Sequence, residues 1–499
     1  MSSSLISELT AQYSSAFDYN KKETVIILAA GHGKRIKSNT SKMLHKIWEI
    51  PTVERVYNAC TKAFDNANVI LVVGIKAEDV IKTIGKKNNL VYVYQETQNG
   101  TGHAVQVALQ NVDQSKYDGT VYIIPGDMGL INEATLLMFK EEFFRSNSDM
   151  MVLTGQYEGP HENNYYGRIV RVGNKDSKGK SSGKDKDNVI EIIEYKDIMN
   201  LDSKKPYKVK HNKKEYLFKK KELIENREFN SGVFAFSFKP LAEQITKISN
   251  DNVQNEIYLT DLIFLFNQNC YKVSAVSPKE QYVLMGFNNK SVLKEMDTIA
   301  RKLAYEKLKD IIMIDDPDDF FIDENVIEEI IEMDKLGVPL DIKIGKGVYI
   351  GNGVKLNSNL ALMKNVHLHG NIIFGINVCV RGNVQMSCFY GQKIFIGDNV
   401  EIFNGDIIKG NVTIGENSVI ESQVRITGSD EYPVQIGKHV TIKGVSYIFG
   451  SVIDNNFIIE HSVLKCKNVA RPEESKSEIS KVKYYLPEAE GIETINNLL

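Results

Sequence analysis

From residue 23 to about residue 157, short apolar runs alternate with stretches whose apolar residues recur every three or four positions. The runs at 24–28, 69–73, 90–94, 121–124 and 150–154 predict strands, because continuous aliphatic residues suit a sheet covered on both faces. Between them, 53–64, 77–84, 101–112 and 132–144 carry helical spacing. Strand and helix in alternation with short connections predict a mostly parallel α/β sheet with helices on both sides. Ligands of such sheets bind beyond the carboxyl ends of the strands. Farther on, Leu293, Met296, Ala300 and Leu303 predict a connecting helix over 290–310, followed by an acidic linker at 315–324.

From about residue 340 the period changes. The pairs Ile344-Gly345, Ile396-Gly397, Ile414-Gly415 and Ile436-Gly437 are each followed, six residues after the isoleucine, by another isoleucine (350, 402, 420 and 442). Ile396 and Ile414 stand 18 residues apart and Ile414 and Ile436 stand 22, which places a four-residue insertion around 428–433. Hexads taken three to a turn predict a parallel β-helix whose flat faces stack aliphatic side chains inward.

A chain of 499 residues exceeds one core, in keeping with this change of period. A net charge of −3 with 25% charged residues leaves no overall nucleic-acid footprint. Lysines cluster in the low-complexity stretch 175–187, expected as a mobile loop, and in 204–221, expected as a solvated insertion. The five cysteines (60, 270, 379, 388 and 466) lack zinc or disulfide spacing and read as reduced thiols. Residues 1–22 are polar and serine-rich, and no apolar run has the length of a membrane span. These features predict a cytoplasmic protein with no membrane or nucleic-acid partner.

Candidate chemistry starts where the first strand ends, at Leu28-Ala29-Ala30-Gly31-His32-Gly33-Lys34-Arg35. Glycines let backbone N–H groups approach phosphate oxygens, and the two cations neutralise their charge. The turn lacks both the third glycine of a dinucleotide fingerprint and the Gly-Lys-Ser/Thr ending of a P-loop. Ser41-Lys42-Met43-Leu44-His45, Gln95 and Gly100-Thr101-Gly102-His103-Ala104 follow. Then come Pro125-Gly126-Asp127, Tyr166-Gly167-Arg168-Ile169, Glu194-Tyr195-Lys196-Asp197, Asn230-Ser231-Gly232 and Asn288-Asn289.

As an ordered set over roughly residues 23–289, these motifs resemble the sugar-1-phosphate nucleotidyltransferases. Within them the chain is similar to the N-terminal half of the bifunctional UDP-N-acetylglucosamine pyrophosphorylases/glucosamine-1-phosphate acetyltransferases. The resemblance implies a Rossmann-like mixed, mostly parallel sheet followed by a left-handed hexapeptide β-helix. It implies UTP and a sugar 1-phosphate as substrates, with the sugar phosphate attacking the α-phosphorus in line and pyrophosphate leaving. By this resemblance Leu28, Ala29, Ala30 and Gly31 pack on the nucleotide, and Arg35 and Lys42 clamp phosphates. Gln95, Gly100 and Thr101 read the uracil, while Asp127 and Asn288 hold Mg2+. Gly167, Glu194 and Asn230 hold the sugar and its acetamido group, with Arg168 covering the sugar loop. His45 and His103 are expected in structural roles, since a sugar phosphate dianion is already a competent nucleophile.

The chain also departs from the family. Ser41 and Lys34 stand where proline and threonine are usual, and Pro125 stands where tyrosine is usual. Glu194 and Asn230 are 36 residues apart, much farther than in the family, which leaves the sugar open. The family's His-Leu-x-Tyr-x-Gly-Asp acetyltransferase stretch is missing; Val366-His367-Leu368-His369-Gly370 is the nearest string and is expected to be structural. Acetyl transfer is therefore not expected, and the β-helix is expected to assemble a homotrimer. The expected organisation is an extension (1–22), a nucleotidyltransferase domain (23–289), a linker (290–335), a β-helix (336–466) and a tail (467–499). Two alternatives remain: another sugar 1-phosphate or nucleotide, as in ADP-glucose or dTDP-sugar synthesis, or a non-catalytic scaffold subunit. Retention of Arg35, Lys42, Asp127 and Asn288 weighs against the scaffold.

Overall fold

The apolar run after Lys22 becomes the central strand β1 (Glu23–Ala29), in which Val25, Ile26 and Ile27 are wholly buried. In the computed structural model, which describes residues 3–31, 33–471 and 479–488, the chain forms two units, Met1–Asp297 and Thr298–Leu499. The expected tail thus lies largely outside the described residues, including the apolar stretch at 492–499.

In the first unit, β2 (Ala67–Val73), β3 (Leu90–Tyr94), β4 (Thr120–Pro125) and β5 (Met150–Gln156) arise from the other predicted runs. β6 (Arg168–Arg171), β7 (Val189–Ile193), β8 (Glu228–Ser237) and β9 (Val273–Val276) complete the sheet. The order is β9-β5-β8-β4-β1-β2-β3, with β6 joining β8 to β7. β1 pairs in parallel with β2 and β4, and β2 with β3, whereas β8 runs antiparallel to β4 and β5. The sheet is therefore mixed and mostly parallel, as expected.

Helix α1 (Ser3–Tyr13) belongs to the polar N-terminal extension, and α2 (Thr52–Ala63), α3 (Ala77–Ile84), α4 (Thr101–Leu109) and α5 (Glu133–Ser146) are the predicted helices. Val56, Val80, Ile81 and Phe139 of α2, α3 and α5 build one apolar core, and Ala104, Val105 and Ala108 of α4 the other. The sheet is thus covered on both faces. The N-terminal extension has a structural task that its composition conceals. Ile6 enters the first core, Ser15 N–H donates to the Leu90 carbonyl at 2.8 Å, and Tyr92 N–H donates to Ser14 Oγ at 2.8 Å. These bonds cover the exposed edge of β3, which would otherwise be open to pairing with another chain.

The two lysine-rich segments fold together. Tyr207–His211 and Lys214–Phe218 form an antiparallel hairpin whose Val209 and Tyr216 point inward, joining Val170, Val172, Ile190 and Leu223 in a small core. Lys208 and Lys210 point to solvent on the alternate positions. The stretch expected as a mobile loop is a compact turn: Ser182 is buried, and Lys214 Nζ donates to its carbonyl at 3.1 Å. Lys214 also pairs with Asp185 at 3.6 Å.

The second unit is a parallel β-helix of three sheets. Its inward columns are aliphatic, as in Ile350, Leu368, Met386, Ile408, Ile426 and Ile448, all fully buried. The sheets open earlier than residue 336. Met313–Ile314 and Phe320–Ile322 flank the acidic residues and pair with Lys343–Ile344 and Val348–Ile350, so the acidic stretch belongs to the first coil, while the predicted connecting helix stands at Lys290–Leu308. The insertion at 428–433 lies between Arg425–Gly428 and Val434–Ile436, and a matching expansion lies between Gln385–Ser387 and Ile394–Ile396. Several corners use asparagine: Asn359, Asn377, Asn399 and Asn417 have φ from 55° to 60°. Each amide nitrogen donates to the oxygen of the next, at 2.7, 2.8 and 3.1 Å, which offsets the cost of the left-handed backbone.

Asp406 breaks the apolar pattern. It sits between Val384 and Val424 in one inward corner, fully buried, with Oδ1 accepting from Val424 N–H at 2.8 Å and Oδ2 without a partner among the described residues. Burial pushes its carboxyl up from 3.8 to about 8. In the unfolded chain the group ionises near 3.8, whereas in the folded one it stays protonated up to about 8. Stability from this group is therefore fully present below the lower value and is lost as pH rises through the window, by on the order of a few kcal/mol. Thermal melts of the second unit should show that decline in the wild type and a flatter profile in Asp406→Asn. Parallel profiles for the two proteins would contradict it.

Candidate active site

The parallel register brings several chain reversals to one edge of the sheet, with Leu28 opposite both Val72 and Pro125. A cleft of about 670 Å3 opens there, at the carboxyl ends of β1 and β4. Of the residues expected in the site, Leu28, Ala30, Gly31, Arg35, Lys42, Gln95, Gly100, Thr101, Asp127, Glu194, Asn230 and Asn288 line it.

Two expected residues do not line it. Ala29 is 1% exposed, because the alternation of β1 turns its methyl into the core on the other face. Gly167 lies beneath the wall: its carbonyl accepts from Asn230 N–H at 2.9 Å, and a Cβ there would fall 3.1 Å from Glu194 Oε1. It spaces two lining residues rather than offering a side chain. His32 lies outside the described residues.

The turn after β1 continues as Gly33 (φ 58°) and a short 3-10 helix, Lys34–Ile36. Arg35 is exposed at the cleft. A Cβ on Gly33 would fall 2.8 Å from Lys42 Cβ, so glycine is required both by the left-handed backbone and by the packing of Lys42. Lys42 opens a second 3-10 turn, Lys42–Leu44, anchored by buried Met43. Its Nζ donates to Asp127 Oδ2 and, at 3.0 Å, to Asn288 Oδ1, and it stands 5.4 Å from the Phe287 ring centre.

Across the cleft, Gln95 is 3% exposed, and its amide nitrogen reaches the Gly100 carbonyl at 3.3 Å and His103 Nδ1 at 3.0 Å. His103 thus orients Gln95, provided that Nδ1 is the accepting nitrogen. Gly100 has φ 103°, and Gly102 N–H donates to the Ile257 carbonyl at 2.8 Å, so this turn is laced to the segment before Leu259. His45 packs edge-on to Phe287, and burial with nearby Lys290 lowers its pKa. Each histidine thus contacts a neighbouring side chain, Phe287 for His45 and Gln95 for His103.

At the far end, an irregularity between Asn230 and Val233 in β8 re-aims Asn230 toward the cleft. Asn230 Oδ1 accepts from Gly232 N–H at 2.9 Å, which fixes the bulge. Burial, with Asp197 and Asp261 nearby, pushes Glu194 up to about 7. Arg168 is wholly buried and donates to the Asn164 carbonyl at 2.7 Å and to the Tyr166 carbonyl, holding the loop that carries Gly167. Gln98, Phe234, Glu256, Leu259 and Thr260 also line the cleft and lie outside the motifs read from the sequence. They lie on irregular segments or face inward from a strand, and the one available clue is the polar run before Leu259-Thr260-Asp261.

Asp127 and Asn288 bring a carboxylate and an amide oxygen to within hydrogen-bonding reach of one cation, Lys42. This donor set suits a hard divalent ion that keeps several waters. Among the described residues no three His, Cys, Asp or Glu side chains converge on a metal position.

Open strand ends, a glycine turn, two cations and an oxygen pair in one cleft define a nucleotide-handling α/β domain. Residues 25–177, which carry the Gly31 turn, Lys42, Gln95, Gly100 and Asp127, match the family model of the MobA-like NTP transferase domain. The chain is 32% identical to the bifunctional protein GlmU of Acetivibrio thermocellus across 60% of this chain and 57% of that protein. It is 29% identical to GlmU of Clostridium kluyveri across 87% of this chain and 78% of that one. It thus spans 57% of the first relative's length and 50% of that of GlmU from Caldicellulosiruptor saccharolyticus. Among solved structures, a UDP-glucose pyrophosphorylase complexed with UDP-glucose aligns at 14% identity, TM-score 0.39, over 56% of this chain and 99% of that one.

Gly100→Ala would place a methyl 2.5 Å from the Ile257 carbonyl oxygen. With the added backbone strain it should cost about 1–3 kcal/mol and weaken nucleotide binding. Thermal melts and nucleotide titrations check this, and an unchanged melting temperature with unchanged affinity would contradict it.

Proposed function

We propose that the protein is a Mg2+-dependent uridylyltransferase that converts UTP and N-acetylglucosamine 1-phosphate into UDP-N-acetylglucosamine and pyrophosphate. The observation that carries this reading is the convergence of Lys42, Asp127 and Asn288 at one point of a cleft lined at one end by Gln95 and Gly100 and at the other by Glu194 and Asn230. The family model and the GlmU relatives support nucleotidyl transfer as the reaction class.

In this reading the uracil lies against Gln95 and the Gly100-Thr101 turn, whose amides are already fixed by His103 and Ile257. Arg35 and the amides of Gly31 and Gly33 gather the triphosphate, and Lys42 adds charge beside the α-phosphate. Asp127 and Asn288 would hold Mg2+, which when bound neutralises phosphate charge. Asn230 and Glu194 position the sugar so that its phosphate oxygen faces the α-phosphorus opposite the leaving pyrophosphate. One P–O bond forms as the α–β bridge breaks, and no covalent enzyme intermediate is needed.

The β-helix takes no acetyl-transfer role in this reading. His367 is stacked on Tyr349 at 4.3 Å and 12°, within a ladder that Phe321 continues. Its part is assembly, as a homotrimer. Five free cysteines accord with a reducing cytoplasm, and no helix among the described residues is long and apolar enough to cross a membrane.

Purified protein with Mg2+, UTP and N-acetylglucosamine 1-phosphate should release pyrophosphate, and Asp127→Ala should lower that rate by at least ~100-fold with the fold intact. No release with any nucleoside triphosphate in a panel of sugar 1-phosphates would overturn the reading. Because burial pushes Glu194 up to about 7, a charged carboxylate accepts from a sugar hydroxyl well above that pH, and below it the neutral carboxyl makes a weaker bond. KM for the sugar phosphate should therefore rise as pH falls from 8 to 6, a change that Glu194→Gln should flatten. Identical pH profiles for the two proteins would remove Glu194 from the sugar site.

A further inference from the structure

The Lys42 ammonium stands on the point where the two oxygens suited to a divalent cation converge, 3.0 Å from Asn288 Oδ1 and in direct contact with Asp127 Oδ2. The Lys42 side chain is 9% exposed and that of Asp127 18%, so bulk ions screen the pair weakly. The contact is built in on three sides. Gly33 packs on the root of the lysine, Phe287 faces its ammonium at 5.4 Å, and the Lys42–Leu44 turn fixes its backbone.

We propose that Lys42 is the resident cation of this subsite. In the nucleotide-free protein it neutralises Asp127 and fills the place a divalent ion would take, and it yields that place when a triphosphate offers oxygens of its own. The inference rests on the assignment of Asp127 and Asn288 as the cation-holding pair. Its physical basis is competition, because two cations cannot share the same two oxygens without strong mutual repulsion. A half-buried carboxylate left without a counter-charge is itself costly, so the lysine stays until another cation replaces it. A triphosphate draws the ammonium toward its own oxygens and thereby frees the oxygen pair. Divalent ion and nucleotide should then bind cooperatively, each strengthening the other by the same factor.

The test titrates Mn2+, as a paramagnetic stand-in for Mg2+, into the nucleotide-free full chain and reads free Mn2+ by electron paramagnetic resonance. Lys42→Met should bind Mn2+ at least tenfold more tightly than the wild type, whereas Lys42→Arg, which keeps the charge, should bind as weakly as the wild type. The double variant Lys42→Met with Asp127→Asn should lose the gain. Lys42→Gln serves in place of Lys42→Met if circular dichroism shows that the latter does not fold. If neutralising Lys42 brings no tightening, or if Lys42→Arg tightens equally, the proposal is overturned while the uridylyltransferase reading stands. If the double variant keeps the gain, Mn2+ binds elsewhere, and the assignment of Asp127 falls with the proposal.

Discussion

Everything chemical in the first unit depends on the pairing of β1 in parallel with both β2 and β4. That register places the turn after Ala30, the Asp127 turn and, through β2 and β3, the Gln95 segment on one edge of the sheet. A buried strand such as β1 tolerates no slip, because a one-residue shift would turn Val25 and Ile27 out of one core and Ile26 out of the other. The rigidity of the sheet is thus what fixes polar side chains donated by loops far apart in sequence. Asp127 and Asn288, 161 positions apart, meet at one lysine on that account.

The antiparallel strand β8 adds the second half of the cleft. Its irregularity at Asn230 breaks the ladder where a side chain is turned toward the cleft, and the Gly167 carbonyl holds the adjoining N–H. Arg168 supports this end from below by spending its guanidinium on loop carbonyls. Its burial therefore serves geometry rather than contact with a substrate. The lysine-rich lobe, with its own core at Val209 and Tyr216, explains how the long spacing between Glu194 and Asn230 is accommodated without disturbing that end.

Much of this was legible in the chain. The continuous apolar runs marked β1 to β5 because both faces of those strands are buried, and the Ile-Gly hexads marked the β-helix because its inward columns repeat aliphatic residues on most rungs. Other features were hidden for physical reasons. The rung at Phe374-Gly375 escaped because an aromatic replaces isoleucine in its column, and the first coil was masked by acidic residues that face solvent around Phe320 and Ile322. The resemblance put Ala29 in the nucleotide cradle, but pleating sends its side chain the other way. The residues from Glu256 to Thr260 reach the cleft through a long-range contact with the Gly100 turn, which no local pattern encodes.

The central claim is that one cleft holds a nucleotide at the Gly31 and Gly100 turns and a sugar at Asn230 and Glu194, with the phosphates at Lys42. A crystal structure of the protein grown with UDP-N-acetylglucosamine and Mg2+ tests this most directly. The account predicts the uracil within hydrogen-bonding distance of Gln95 or the Gly100 turn, the diphosphate beside Lys42 and Asp127, and the sugar against Asn230. A fully occupied ligand elsewhere on the chain, with this cleft empty, would contradict it.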